Sequence, residues 1–122
     1  MDKLETVFEL QKQLDTDIQT RRNLDFTMEE WLQKDVLAMI SELSELLDEV
    51  NFKWWKNKKP VDEAALHGEL VDIFHFFVSM CIRSGMDADK LFEGYIAKNR
   101  ENFDRQLGRS QKKGYDVTEE TK

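Results

Sequence analysis

Two acidic pairs carry the residue types best suited to chemistry in this 122-residue chain: Glu42 with Glu45 in ISELSELLDE (40–49), and Glu69 with Asp72 in GELVDIFHFF (68–77). Within each pair the carboxylates stand three residues apart, so on a helix both project from one face. Each pair is embedded among Leu, Ile, Val and Phe rather than in a wet, charged surface. If the two faces pack together, four carboxylates converge and repel one another. A divalent cation relieves that repulsion, and oxygen-only ligands point to Mg2+ or Mn2+.

The elements that must position these pairs are helices. Leu4, Val7, Leu14 and Ile18 recur at helical spacing over residues 2–20. Gln11 lies on that stripe and Asp15 beside it, and the plain reading is polar residues tolerated at a seam. Thr27 followed by Glu30 is a capping-box signature opening a second helix, from about Met28 towards Trp55 or Lys56. Its core stripe is Leu32, Val36, Met39, Leu43, Leu46, Leu47 and Val50. If the helix persists to Lys56, that ammonium lies over the acidic face.

Pro60 and Asp62 mark a stop and a new cap ahead of a third helix over about 63–84. This helix is apolar nearly all round, as expected of the centre of a bundle or of an oligomer interface. Glu69 and Asp72 interrupt it with no Lys or Arg within a turn, so a metal or a cross-helix cation is expected to satisfy them. His75 reads as a supporting hydrogen-bonding group. Gly85 ends this helix, and a fourth runs over roughly 88–107 with Phe92, Ile96 and Phe103 as its buried stripe. Lys98, Asn102 and Arg105 form a separate face suited to an anionic ligand. Residues 1–108 read as one all-α domain and 109–122 as a flexible tail.

Composition excludes several classes. The net charge of −7 argues against general nucleic-acid binding and against docking on anionic membranes. The single Cys81 rules out an internal disulfide and reads as a buried core thiol. Apolar runs fall short of a membrane span and no signal peptide is evident, so the expected compartment is the cytoplasm. Glycine-rich phosphate loops, Cys/His metal spacings and Ser/His/Asp orders are missing from the sequence. Any phosphate chemistry rests on metal and cations.

The acidic pairs in order, together with FKWWKN (52–57), ELVDIFHF (69–76), KNRENFDRQ (98–106) and GY (114–115), resemble the dimeric all-α dUTPases. These belong to the MazG-like all-α nucleoside triphosphate pyrophosphatases. The resemblance covers most of residues 10–115. It implies a four-helix bundle-like architecture assembled as a dimer or tetramer, and Mg2+-dependent hydrolysis of dUTP to dUMP and pyrophosphate. It implies metal ligation by Glu42, Glu45, Glu69 and Asp72, with Glu45, Glu42 and Asp72 catalytic and Glu45 the preferred base for the attacking water. It further implies nucleotide contacts from Lys98, Asn102 and Arg105, phosphate contacts from Lys56 and Tyr115, and a deoxyribose contact from Phe76. Gln11 corresponds to a residue reading the base. Hydrolysis of dCTP or of a noncanonical nucleotide is the nearest alternative. A helical interaction module with no activity is the alternative from another class.

Overall fold

The computed structural model describes residues 1–117, and among these no strand forms. Four helices follow in order: α1 (Lys3–Arg21), α2 (Met28–Glu49), α3 (Glu63–Arg83) and α4 (Ala88–Gln106). The chain divides into two compact units, Met1–Asp87 with the first three helices, and a second beginning at Ala88. The last five residues of the expected tail lie outside the described residues.

Local chemistry sets the boundaries. The Thr27 hydroxyl accepts from the Glu30 amide, and the Glu30 carboxylate accepts in return from the Thr27 amide. Phe26, just before the cap, packs edge-on against Trp31 with ring centroids 4.9 Å apart. A capping box and a hydrophobic staple together therefore fix the entry of α2 and the placement of Trp31. At the other end, α1 closes on Asn23 at φ 52° and α3 on Gly85 at φ 91°. In both, the next residue's amide reaches back to a carbonyl five residues earlier, Leu24 to Gln19 and Met86 to Cys81.

The second helix is shorter than its periodicity suggests. It ends at Glu49, and Asn51 turns left-handed at φ 58°. Its side-chain amide donates to the Lys59 carbonyl while its side-chain oxygen accepts from the Lys59 amide, each at 2.9 Å. That clasp closes residues 51–59 into a loop carrying Phe52, Trp54, Trp55 and Lys56. The apolar pattern runs on past Glu49 because these aromatics belong to the loop. Lys56 consequently does not continue the acidic face of α2.

Packing in the first unit centres on α3, which contacts α2 along much of its length and α1 over a shorter stretch. By length and composition α3 would pass for a membrane span, a property shared by central bundle helices. Val78 and Cys81 on α3 and Phe8 on α1 are buried, and so are the polar Gln11, Asp35 and Ser79. Polar groups thus make up an unusually large part of the interior. The expected core stripe of α2 is only partly covered: Leu32, Met39 and Leu46 are half-buried, whereas Val36, Leu43, Leu47 and Val50 are exposed. On α4, Phe92, Ile96 and Phe103 are exposed rather than buried. The amphipathic stripe of α2 is real, but the first unit supplies too few facing layers to cover it.

Replacing Asn51 with Ala removes both hydrogen bonds and leaves the left-handed site to a residue that tolerates it less well than Asn, at an expected loss of about 1–2 kcal/mol. Urea unfolding should show this shift with helix content retained, and limited proteolysis should cut first within 51–59.

Candidate active site

The polar interior lies along one seam. On α2, Trp31, Asp35, Glu42 and Glu45 follow at steps that keep them on one helical face. On α3, Glu69, Asp72, Phe76, Ser79 and Arg83 step by three and four down the face turned to that seam. Gln11 and Asp15, four apart on α1, complete the set.

At one end the acidic pairs converge. Carboxylate oxygens of Glu42, Glu69 and Asp72 all lie within 4.8 Å of one another. Glu42 Oε2 and Glu69 Oε2 are sealed from solvent with no hydrogen-bond donor. Facing Glu42 across a hydrogen-bonding distance pushes the Glu69 carboxyl up to about 7, helped by desolvation and by the charge of Glu45. Glu45 itself is exposed. Such a set calls for a shared proton or a cation. Three converging carboxylates with orphaned oxygens and no soft ligand fit a hard divalent ion such as Mg2+ or Mn2+.

Two of these acids open onto a cavity of about 470 Å³, within the range of small-molecule sites. Glu42 and Asp72 line its acidic end, while Leu14, Ile18, Trp31 and Phe76 furnish apolar walls. Gln11, Asp15 and Ser79 form one hydrogen-bonded group. The Ser79 hydroxyl donates to the Asp15 carboxylate at 2.8 Å. The Gln11 amide nitrogen donates to Asp15 and to the Ser79 oxygen, each at 3.0 Å. Because a carboxylate only accepts, the Gln11 carbonyl is turned the other way, where it accepts from His75 Nδ1 at 2.6 Å.

The far end is closed by Arg83, which pairs with Asp35 at 3.5 Å and stacks 3.6 Å from the centre of the Trp31 ring. Both partners of the ion pair are nearly buried. Burial pushes the Asp35 carboxyl up; Arg83 pulls it down, and Asp15 adds a further upward push.

Other expected site residues lie elsewhere. Lys56 is exposed on the 51–59 loop, where it lines a separate cavity of about 180 Å³ with Asp48, Lys53 and Lys59. Lys98, Asn102, Arg105 and Tyr115 belong to the second unit. There Arg105 donates to Glu101 at 3.0 Å and its guanidinium lies 5.4 Å from the centre of the Tyr115 ring. Hydrogen bonds from Ser110 and Arg105 hold the Glu101 carboxyl below its ordinary range.

Asp15, Trp31, Asp35, Ser79 and Arg83 escape a reading of the sequence aimed at the acidic pairs. For the four on α2 and α3 the signal is the continuation of the acidic faces along both helices; Asp15, on α1, has no such signal. The cross-helix bonds from Gln11 to Ser79 and His75 span more than sixty residues and leave no local trace.

A family model described as dUTPase matches residues 3–91, nearly three-quarters of the chain. The chain belongs to this dUTPase family. The matched span contains all four acidic residues, the cavity and Lys56; Lys98, Asn102, Arg105 and Tyr115 fall beyond it. The dCTP pyrophosphatase of Enterobacteria phage T4 is 33% identical over 87 residues, covering 60% of this chain and 51% of that protein. The dCTP pyrophosphatase of Enterobacteria phage LZ5 is 35% identical over 74 residues, covering 61% of this chain and 43% of that protein. A DNA replication protein of phage T4 is 31% identical over 81 residues, covering 55% of this chain and 21% of that protein. The chain thus spans about half the length of the curated pyrophosphatases it matches. No solved structure matches it.

The raised Glu69 gives metal-free protein a signed pH response. A carboxyl that holds its proton more tightly when folded adds stability in full below its ordinary value of 4.5. That contribution is lost as pH rises through about 7. In chelator, the urea midpoint should therefore fall between pH 5 and pH 8, and Glu69→Gln should flatten the fall.

Proposed function

We propose that this dUTPase-family chain is a divalent-metal-dependent pyrophosphatase of pyrimidine deoxynucleoside triphosphates. Water attacks the α-phosphorus, pyrophosphate leaves, and the nucleoside monophosphate remains. The observation that carries this reading is the pair of sealed, donorless oxygens on Glu42 and Glu69, beside Asp72, at the mouth of a cavity large enough for a nucleoside. The family's description supports dUTP as substrate, and the names of the two phage pyrophosphatases support dCTP.

Glu42, Glu69 and Asp72 would hold the metal, with Glu45 alongside. Bound there, a hard cation supplies a positive field for the triphosphate and acidifies a coordinated water. The chain's own groups do the rest. Glu45, exposed and close enough to Glu69 to raise its pKa, takes the proton of the attacking water. Trp31, Leu14 and Ile18 line an apolar wall suited to the base, and by the family resemblance the half-buried Phe76 ring stands beside the deoxyribose, leaving no room for a 2′-hydroxyl. Phosphate contacts by Lys56, Lys98, Asn102, Arg105 and Tyr115 belong to the same proposal and rest on the family resemblance.

Self-association belongs to it as well. Leu10 and Leu14 on α1, Leu37 and Ile40 on α2, and Leu70, Val71 and Phe74 on α3 are all exposed. An apolar groove of about 300 Å³ between α1 and α3 continues that surface. Exposed apolar area of this kind marks an interface, and a second copy is the occupant proposed.

Pyrophosphate release from a nucleotide panel, with and without Mg2+, tests the reading. Turnover should need metal. Glu45→Gln and Asp72→Asn should each lower it by about 10²–10⁴-fold with far-UV circular dichroism unchanged. A non-enzymatic interaction module would show no joint dependence of melting temperature on Mg2+ and a non-hydrolysable nucleotide. Light scattering should report a dimer or tetramer, and a strictly monomeric protein would remove the self-association proposal.

A further inference from the structure

One wall of the cavity has hydrogen-bonding groups that are unbalanced in a way that bears on which base it takes. In the Gln11–Asp15–Ser79 group, both amide hydrogens of Gln11 and the Ser79 hydroxyl hydrogen are used internally. A carboxylate offers about four acceptor positions. Two protons, one from Gln11 and one from Ser79, occupy Asp15. The capacity left to this wall is therefore acceptor capacity: the remaining lone pairs of Asp15 and the second lone pair of the Gln11 carbonyl. The cavity's cation, Arg83, stacks on Trp31 and lies 3.5 Å from Asp35, with its Nε and the Asp35 Oδ2 buried without a hydrogen bond.

Cytosine and uracil differ in what they bring to such a wall. Cytosine carries an exocyclic amine with two N–H donors at position 4; uracil carries a carbonyl there. Carboxylates accept well from the cytosine amine, as they do when proteins read cytosine in nucleic acids. A uracil that turned its single N3–H to Asp15 would bring carbonyl oxygens on both sides of that bond against the same acceptors. The carbonyl at position 2 is common to both bases, so a contact from Arg83 to it would not discriminate.

We infer that Asp15, held by Ser79 and Gln11, is a specificity-determining residue that accepts from the exocyclic amine of a 4-aminopyrimidine, so that the cavity selects dCTP over dUTP. This inference rests on the nucleotide reading above and narrows its substrate.

The test compares kcat/KM for dCTP and dUTP in the native protein and in Asp15→Asn, with Mg2+ present. The native protein should prefer dCTP by about 10-fold or more, a margin set by one charge-assisted hydrogen bond. Asp15→Asn, whose amide can donate to a carbonyl, should lose more on dCTP than on dUTP and narrow that ratio by a similar factor. Melting-temperature shifts with dCMP and dUMP, in chelator, provide a readout free of catalysis; the native protein should respond more to dCMP. Equal or greater turnover of dUTP by the native protein would overturn the inference and leave the pyrophosphatase reading standing. An equal loss on both substrates in a folded Asp15→Asn protein would do the same. Failure to release pyrophosphate from any nucleotide would overturn both.

Discussion

Everything in the first unit answers to one electrostatic constraint: carboxylates from two helices meet where some of their oxygens reach neither solvent nor a donor. Glu42 comes from α2, and Glu69 and Asp72 from α3. Packing α2 against α3 brings them together, and the apolar residues flanking them on each helix hold them there. A protein gains no stability from crowding like charges. Such an arrangement fits a bound cation, and the all-oxygen donor set fits a hard one.

The same seam then changes character along its length. Beyond the acids come Phe76 and the Gln11–Asp15–Ser79 group, and beyond those the Arg83–Asp35 pair stacked on Trp31. The Trp31–Arg83 end is fixed by features local to the two helix ends. The capping box and staple at Thr27 and Phe26 set Trp31, and Trp31 in turn gives Arg83 a surface to lie on. The left-handed turn at Gly85 ends α3 two residues after Arg83. A cavity with a charged end, apolar walls and a hydrogen-bonding wall has the features of a small-molecule site.

Much of this was legible in the sequence because it is local. Helical periodicity and caps put α1, α3 and α4 within a residue or so of their observed ends. The i, i+3 carboxylates declared their shared faces, and burial of Cys81 followed from its apolar run. The end of α2 was misjudged because Phe52, Trp54 and Trp55 prolong the apolar pattern, whereas the deciding residue, Asn51, acts through a turn and a clasp to Lys59. Burial along α2 and α4 was overestimated for a different reason. A stripe shows that a face seeks cover, not that the chain supplies it. The Gln11–Asp15–Ser79 hydrogen-bonded group is not legible in the spacing, because Gln11 and Asp15 look like a tolerated polar seam until α3 brings Ser79 and His75 against them.

The central claim is that Glu42, Glu69 and Asp72 form a cation site that a proton occupies in its place. Calorimetric titration of metal-free protein with Mn2+ near pH 6, repeated in buffers of different ionisation enthalpy, measures binding and proton release together. The account predicts saturable binding that releases a fraction of a proton up to about one, with both signals lost in the Glu42→Gln, Glu69→Gln double variant. Absence of binding, or binding that survives the double variant undiminished, would contradict it.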